Sequence, residues 1–284
     1  MSSSSSPSAR IAVILGTNEI ASAVAVYLRR MQYAVVMVHD PLPPVIRRGM
    51  AFYDALFEDF SRIDEIKAIR VDELMDFFPL TTRPDHVAVT ALGLTDLLVL
   101  GSIDVIVDAR MQKRVAKPCL FQLADLTIGL GPGFAAKINC DVAIETKPDC
   151  VGAILDDGTT APWDGVSAKL NGLGAERFVY SIAPGRWRTA LDVGTRVYKD
   201  LLIGRIGDEP VIAPMDGLLR GIVRDGIEVP AGVKLLEIDP RGPAGSWTKI
   251  DARAQSIARA TVVAIDKFSN RTEPEKAAPA MRLR

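Results

Sequence analysis

The chain has 284 residues, of which 48% are hydrophobic and 24% are charged, and its formal net charge is −1. This composition is typical of a globular protein, and the near-neutral charge gives no reason to expect nucleic acid or an anionic membrane as a partner. The length favours about two domains. A membrane span is not expected either, because the longest apolar stretch is interrupted by Asp96, Gly101 and Asp104.

Residues 1–9 contain a serine run without the basic and apolar regions of a secretory signal, so they are predicted to be a disordered leader. The three cysteines form no C-x-x-C pair, which favours a reducing, cytoplasmic location and small buried thiols rather than a thiolate cluster. Two histidines are too few for a histidine-based zinc site. No metal site is predicted, although one built from carboxylates alone stays open.

The first elements along the chain predict a βαβ unit. Residues 11–15 are a continuous apolar run, which is typical of a parallel strand buried on both faces. Residues 20–31 carry apolar side chains at helical spacing, and residues 34–38 form a second apolar run. A strand, a turn, a helix and a strand of this length favour a right-handed crossover between two parallel strands.

Further alternation predicts that the first domain is a doubly wound parallel sheet. The next predicted elements are helices over residues 47–60 and 71–78, a strand over 86–90, a helix over 93–100 and a strand over 104–107. Strands that alternate with helices pack as a parallel sheet that is covered on both faces. Residues 10–160 are therefore predicted to be a Rossmann-like α/β domain.

After residue 160 glycine and proline increase, and short strands replace the helical periodicity. A weak internal repeat lies between Ala183 and Pro240, and each copy has the pattern of a hairpin with a D-x-G or D-G turn. The pattern resembles the barrel-sandwich fold of biotinyl and lipoyl carrier domains, and it predicts a small all-β domain over residues 161–250. Residues 207–210, where such carriers hold the modified lysine, contain no lysine. A scaffolding or docking role is therefore expected instead of a carrier role.

Helical periodicity returns over residues 251–268, which are predicted to form a C-terminal helix that packs back on one of the domains. Residues 269–284 are rich in proline, lysine and arginine and are predicted to be a disordered tail. The expected architecture is thus a Rossmann-like parallel sheet domain followed by a small barrel-sandwich-like β domain.

The turn after the first strand is a degraded form of the dinucleotide-binding pattern G-x-G-x-x-G/A. Gly16 occupies the first position, but Asn18 replaces the second glycine and would crowd a pyrophosphate. Asp40, at the end of the second strand, is well placed to accept hydrogen bonds from ribose hydroxyls. One hypothesis is therefore NAD binding at Gly16, Asn18 and Asp40. The alternative is a structural turn at Gly16 and a solvated strand end at Asp40.

Polar groups and glycines follow three later strand-like runs. They are Asp108, Arg110, Lys113 and Arg114 after the first run, Gly131, Pro132 and Gly133 after the second, and Glu145 after the third. In open α/β sheets ligands bind where the carboxyl ends of the strands meet. Glycines can expose consecutive N–H groups to a phosphate or carboxylate, and basic side chains can add opposing charge. The sequence thus predicts an anion site at this edge, the alternative being a structural turn beside solvated basic residues.

Several motifs occur in the same order as in a known bacterial family. They are V-D-A-R-M-Q-K-R (107–114), I-G-L-G-P-G-F (128–134), A-I-E-T (143–146), G-A-E-R (174–177), the stretch 207–221 and E-I-D-P-R-G (237–242). Through these motifs, and over about residues 10 to 268, the chain resembles the selenium-dependent molybdenum hydroxylase system protein family. That family is related in context to xanthine dehydrogenase accessory proteins.

The resemblance implies a Rossmann-like domain joined to a barrel-sandwich domain, and a part in the maturation of bacterial molybdenum hydroxylases. The predicted anion-site residues all stand in the family's motifs. Residues 16–20 depart from the family, which has a glycine pair followed by Asp-Leu. Residues 147–150 replace its Arg-Gly-His, and Ser246 stands where a cysteine is usual. The chain is therefore expected to be a divergent member.

Three functions are compatible with these observations. The first is an accessory protein that binds an anionic pterin- or nucleotide-like ligand, such as a molybdopterin-type cofactor, and acts with a molybdenum enzyme. The second is an NAD-dependent oxidoreductase, for which Asp108, Lys113 and His86 are the available proton-transfer residues. The third is an interaction module without a ligand. The sequence assigns no catalytic residues and leaves a homo-oligomer open.

Overall fold

A nine-stranded sheet forms the centre of the N-terminal part of the protein, in a computed structural model that describes residues 9–276. The strands of this part are β1 (Ile11–Leu15), β2 (Ala34–Val38), β3 (Ser61–Ile63), β4 (Ile66–Arg70), β5 (His86–Thr90), β6 (Val105–Asp108), β7 (Leu126–Leu130), β8 (Ala135–Ala136), β9 (Val142–Ile144), β10 (Ile154–Leu155) and β11 (Gly158–Thr159). The order in the sheet is β10-β9-β7-β6-β1-β2-β5-β4-β3, and β8 pairs with β11 separately. The inner strands are parallel and both edge strands are antiparallel. The alternation of elements correctly predicted an α/β domain.

Helices cover both faces of this sheet. They are α1 (Glu19–Arg30), α2 (Phe78–Thr81), α3 (Leu94–Leu97) and, from the C-terminal end of the chain, α4 (Ala252–Lys276). α1 and α4 pack on one face with Ala12 and Ile14 of β1, whereas Val13 and Leu15 of the same strand face the other core. Because both faces of β1 are buried, its sequence is apolar at every position.

The predicted helix over residues 47–60 is not an α-helix. Two 3-10 turns, Arg48–Met50 and Phe52–Leu56, are separated by Ala51 in an extended conformation. This segment is fixed to the C-terminal part of the chain: Arg48 donates to the carbonyl of Ile222 at 3.1 Å, and a Cβ on Gly49 would overlap the backbone of Trp247. Tertiary contacts therefore override the helical periodicity of the sequence.

The other predicted helices of the first part are shorter than expected. Pro79 lies in the first turn of α2, where its missing N–H costs nothing, so a helix begins near the point where the sequence predicted an end. Only a 3-10 turn, Leu74–Asp76, precedes it. α3 continues as a 3-10 turn, Leu98–Leu100, and stops at Gly101, which has φ +101. The hairpin of β3 and β4 was not predicted.

Two four-stranded antiparallel sheets follow. Their strands are β12 (Phe178–Tyr180), β13 (Gly185–Arg188), β14 (Arg196–Val197), β15 (Leu202–Ile206), β16 (Glu209–Ile212), β17 (Gly217–Ile222), β18 (Glu228–Val229) and β19 (Lys234–Asp239). The strand orders are β12-β19-β17-β14 and β16-β15-β13-β18. Trp187, Leu219 and Leu235 are fully buried in the core that the two sheets share. The sequence correctly predicted short strands here, while the domain limits at residues 160 and 250 stay predictions.

The last helix returns to the α/β part, where it packs against α1. Asp251 caps it by accepting the N–H of Ala254 at 2.8 Å. The helix ends at Lys276 and not at the predicted 268. The predicted tail therefore begins inside α4, and residues 277–284 lie outside the described residues, as do residues 1–8 of the predicted leader.

The three cysteine thiols differ in burial. Only Cys140 is buried, which raises the pKa of its thiol to about 12, whereas Cys119 and Cys150 are exposed. The expectation of three buried cysteines was wrong, because the other two lie outside the packed sheet, after β6 and after β9. Among the described helices, none has both the length and the apolar character that a membrane crossing requires.

Candidate functional site

The predicted polar groups lie along one edge of the large sheet, where β6, β7 and β9 end side by side. Asp108 is in register with Gly129 of β7, and Gly129 is in register with Ala143 of β9. Glu145 directly follows β9, and the turn that begins at Gly131 follows β7. The structure thus brings the three strand ends together, but it gives their side chains different roles from those the sequence suggested.

Arg110 is already paired and does not offer its charge to a ligand. Its guanidinium donates to the buried carboxylate of Asp108, with Nη2 at 2.5 Å from Oδ2, and lies 3.6 Å from Asp40. The hydrogen bond to Asp108 raises the pKa of Arg110 above its ordinary value. Asp40 in turn accepts from Gln112 Nε2 at 2.9 Å. Asp40, Asp108 and Arg110 therefore form an internal network in which the charge of Arg110 is already paired.

The glycine turn is partly closed by its own hydrogen bonds. Gly131 donates its N–H to the carbonyl of Ile144 at 3.1 Å, and Phe134 donates to Thr160 Oγ1 at 3.2 Å. Gly131 and Gly133 have φ values of +89 and +88, so the turn does require glycine at both positions. Within residues 9–276, this leaves the N–H of Gly133 as the donor of the turn that no hydrogen bond uses. The predicted nest of consecutive free N–H groups is therefore not formed.

Glu145 is a buried structural acceptor. Its two carboxylate oxygens accept the backbone N–H groups of Thr146 at 2.7 Å, Lys147 at 2.9 Å and Ala161 at 2.7 Å. These bonds tie the end of β9 to the segment that follows β11. The carboxylate is thus occupied by backbone N–H groups, a structural role that the sequence did not suggest.

Protein atoms fill the space at the N-terminal end of α1, where a dinucleotide fold would bind the pyrophosphate. Asn18 caps α1 through Oδ1, which accepts the N–H of Ile20 at 2.9 Å, and its Nδ2 donates to the carbonyl of Ala109 at 2.7 Å. A Cβ on Gly16 would lie 3.1 Å from that same carbonyl oxygen. Because the side chain of Asn18 and the loop after β6 occupy the end of the helix, the position of a dinucleotide pyrophosphate is taken. This geometry disfavours NAD binding at Gly16, Asn18 and Asp40.

An open cavity of about 530 Å³ lies beside this edge. Its lining includes Lys113, Arg114, Pro132, Gly133, Trp163 and Asp164. The ammonium group of Lys113 is 4.8 Å from the centroid of the Trp163 ring, and the guanidinium carbon of Arg114 is 4.7 Å from it. Among the predicted anion-site residues, Lys113, Pro132 and Gly133 therefore do line a concave surface. Arg114, which the sequence offered as a further opposing cation, joins them, and so does Trp163, which the sequence analysis did not assign to the site.

A second cluster lies at the junction, by which we mean the contact between the α/β part and the two antiparallel sheets around Glu237. Glu237 is fully buried and accepts from Arg47 Nε at 2.7 Å and from Arg177. Arg220 lies 3.4 Å from the same carboxylate and donates to Asp251 at 2.9 Å. Although burial alone would raise it, these three guanidinium groups hold the pKa of Glu237 below its usual value.

Sequence motifs contain three residues of this cluster, but the sequence does not show that these residues contact one another. Arg177, Arg220 and Glu237 stand in three of the motifs that carry the resemblance, at residues 174–177, 207–221 and 237–242. Each motif looks like an isolated charged turn or strand in the sequence. Only the pairing of β12, β17 and β19 in one sheet brings them together.

Comparisons with known proteins add a relative but no function. No family model matches the sequence. "Uncharacterized protein YqeB" of Escherichia coli (strain K12) is 31% identical over 255 residues, which are 87% of this chain and 46% of that protein. The chain thus spans about half the length of the curated relative it matches.

Two solved structures have a weak likeness to the chain. The product-bound structure of the ectoine utilization protein EutE (DoeB) from Ruegeria pomeroyi has a TM-score of 0.21 at 21% identity, over 29% of this chain and 27% of that chain. An aspartoacylase family protein from Mesorhizobium loti has a TM-score of 0.25 at 9% identity, over 81% of this chain and 84% of that chain. TM-scores this low do not indicate a shared fold or activity.

Proposed function

We propose that this chain is an accessory protein in the maturation of a molybdenum-dependent hydroxylase, or in a related cofactor pathway. In this proposal it binds an anionic pterin- or nucleotide-like ligand in the cavity beside Trp163. The motif resemblance supports the pathway, and the chemistry of the cavity supports the ligand class. The large sheet then serves as a Rossmann-like support, and the two antiparallel sheets serve as a barrel-sandwich-like domain that shapes the site or docks the partner enzyme.

The observation that carries the ligand class is the combination of Trp163 with Lys113 and Arg114. The two cations lie over the indole ring, and in this proposal they turn from the ring to the anionic substituent of a pterin or purine that stacks in their place. The cavity volume of about 530 Å³ is in the range that small-molecule sites usually have. The glycine turn contributes the N–H of Gly133 at the rim.

The proposed ligand site therefore lies at the same edge of the sheet as the site predicted from the sequence, but a short distance away from it. Asp108, Arg110 and Glu145 bind one another or the backbone, so they position the edge and do not contact the ligand in this proposal. Lys113, Pro132 and Gly133 keep the binding role that the sequence suggested for them. Trp163 and Arg114 complete the site.

Intrinsic fluorescence tests this proposal, because Trp163 lines the cavity, whereas Trp187 is fully buried in the β core and Trp247 lies against Gly49 and Gly194. We expect guanosine monophosphate and pterin-6-carboxylate to quench the emission of the wild-type protein. In calorimetry, Trp163→Leu should bind both compounds about tenfold more weakly than the wild type, or more weakly still. Arg114→Gln should lose less affinity. Lys199→Gln, at an exposed position outside the cavity, is the matched control. Equal affinity in wild type and Trp163→Leu, or no binding of either compound at millimolar concentration, would contradict the proposal.

A further inference from the structure

We infer that the face of the large sheet covered by α2 and α3 is a docking surface for a basic amphipathic helix of a partner protein. This surface, which we call the acidic face, is formed by residues 72–78 and 94–99. None of these residues lines the cavity beside Trp163, so the inference does not depend on the ligand proposed for that cavity.

The first reason is that the two faces of the sheet are covered unequally. α1 and α4, with 12 and 25 residues, pack on one face. Besides the loop around Leu120, the opposite core is closed by α2 and α3, with four residues each, and by the 3-10 turns Leu74–Asp76 and Leu98–Leu100. Each of these short elements buries at most one of its own residues, so its other apolar side chains reach solvent.

The second reason is that large apolar side chains of these elements face solvent. Their exposed fractions are 72% for Met75, 45% for Phe78, 40% for Leu98 and 75% for Val99. Phe77 and Leu97, which precede two of these residues, are buried in the same core, so the two segments lie on one face of the sheet. Apolar side chains that gather on one face of a protein mark a site of contact with another molecule.

The third reason is that carboxylates accompany these apolar side chains. Residues 71–101 contain five acidic residues and one arginine. The acidic residues are Asp72, Glu73, Asp76, Asp85 and Asp96. Asp72 is paired with Arg70, and Asp85 contacts His86. Within the described part of the chain, the other three carboxylates have no arginine or lysine nitrogen within 4 Å, and all three residues are exposed. The face is thus negatively charged, although the whole chain has a formal net charge of only −1.

The charge of the acidic face decides which kind of partner fits it. A second copy of this chain would bring two negative faces together, and an anionic membrane or a nucleic acid would be repelled as well. A segment that carries lysine or arginine beside apolar residues would instead pair with Glu73 and Asp76 and cover Met75 and Val99. An amphipathic helix presents this combination, with apolar anchors at i, i+3, i+4 and i+7. The occupant is therefore a basic amphipathic helix of another protein.

Fluorescence anisotropy with a labelled amphipathic peptide of about 18 leucine and lysine residues tests the inference. We expect the full chain to bind this peptide, and to bind a peptide with glutamate in place of lysine at least about tenfold more weakly. The double variant Met75→Ser/Val99→Ser should bind the basic peptide about tenfold more weakly than the wild type, because apolar contact is lost. Glu73→Gln should weaken binding about threefold and reduce its dependence on salt.

The variants carry their own control for folding and for location. All the substituted positions are exposed, so their melting temperatures should stay close to that of the wild type. Ile182→Ser, at a 78% exposed position between β12 and β13, is the matched control and should bind the basic peptide as the wild type does.

Two results would overturn the inference. The first is equal binding of the basic and the acidic peptide, or unchanged binding by the double serine variant. The second is a dimer of the wild-type chain in sedimentation velocity that the double serine variant converts to a monomer, since the occupant would then be a second copy. Trp163→Leu, which tests the proposed ligand site, should leave peptide binding unchanged, so the failure of one proposal does not decide the other.

Discussion

At the residue scale, the buried ammonium group of Lys234 lowers the stability of the folded protein because it lies near other cations. Lys234 faces Lys113, Arg47 and Arg177, which repel it, and Glu237, which attracts it, and it lies against the rings of Phe178 and Tyr180. Its pKa falls from an ordinary 10.5 to about 7, chiefly through burial. Protonation of this side chain therefore opposes folding in the absence of an anion.

We predict that Lys234→Met stabilises the ligand-free protein, by an amount that depends on pH. Below the folded pKa of about 7 both states bind the proton, and the wild type bears the whole cost of the buried charge. As the pH rises from about 7 to about 10.4, the unfolded state binds more protons than the folded state, so the wild type gains stability and the difference disappears. Melting temperatures of both proteins, measured from about pH 6 to pH 10, check this. A variant with the same advantage at every pH would contradict it.

The cap of the first helix provides a second prediction at this scale. Asn18→Ala removes the acceptor for Ile20 and Ala21 and the bond to the Ala109 carbonyl. We expect a loss of about 1 kcal/mol and a fall in Tm of roughly 2 to 4 °C. Asn18→Asp, which keeps the acceptor, should lose less. Chemical denaturation measures the effect, and an Asn18→Ala protein as stable as the wild type would show that the cap contributes nothing.

At the scale of elements, the motif I-G-L-G-P-G-F combines two different uses of glycine. Gly131 and Gly133 make the turn, whereas Gly129 lies within β7 and leaves room for the ring of Phe134, which a Cβ would overlap. From the sequence alone, the three glycines are interpreted as parts of one loop. The structure shows that the first is a packing position in a central strand.

We therefore predict that Gly129→Ala is strongly destabilising, by about 1 to 3 kcal/mol, because the new methyl group and the Phe134 ring compete for the same space. Phe134→Leu in the same chain should recover part of the loss, so the double variant should be more stable than the sum of the single effects predicts. Urea denaturation of the four proteins measures this coupling. Additive effects would mean that the ring and the glycine do not interact.

Element prediction succeeded where burial alone specifies the pattern. The strand predicted over residues 11–15 is β1, and the one predicted over 104–107 is β6, displaced by one residue. It failed where a contact distant in sequence decides the backbone, as at Gly49 against Trp247. The hairpin of β3 and β4 was missed because β3 has only three residues at the edge of the sheet, and Lys67 and Arg70 interrupt the apolar residues of β4.

At the scale of the whole molecule, Glu237 connects the two parts of the chain. It lies on β19 and is contacted by Arg177 and Arg220 from the same β part, and by Arg47 from the α/β part. Arg47 also contacts Glu19, in the first turn of α1, at 3.0 Å. One buried carboxylate thus compensates guanidinium groups from both sides of the junction.

We predict that Glu237→Gln costs about 3 to 5 kcal/mol, because three buried guanidinium groups lose their counter-charge. Glu209→Gln, on an exposed position of β16, is the matched control and should change stability little. Because the folded pKa of Glu237 is lowered, the advantage of the wild type should be full at neutral pH and disappear in acid as the carboxylate binds a proton. Calorimetry and tryptophan emission, followed during unfolding of both proteins, measure this difference in stability. A single unchanged transition in the variant would contradict the role of Glu237 in the junction.

The sequence by itself determined the α/β class of the first part, the short strands of the second and the strand ends where polar groups gather. Those features follow from local burial periodicity and from the rule that parallel strands end at one edge. Tertiary structure alone decided which of these polar groups are free. Arg110 and Glu145 are bound by Asp108 and by backbone N–H groups, whereas Lys113 lines the open cavity beside Trp163. The physical reason is that a charge is available or neutralised according to what lies within a few ångströms of it, and those neighbours come from distant parts of the chain.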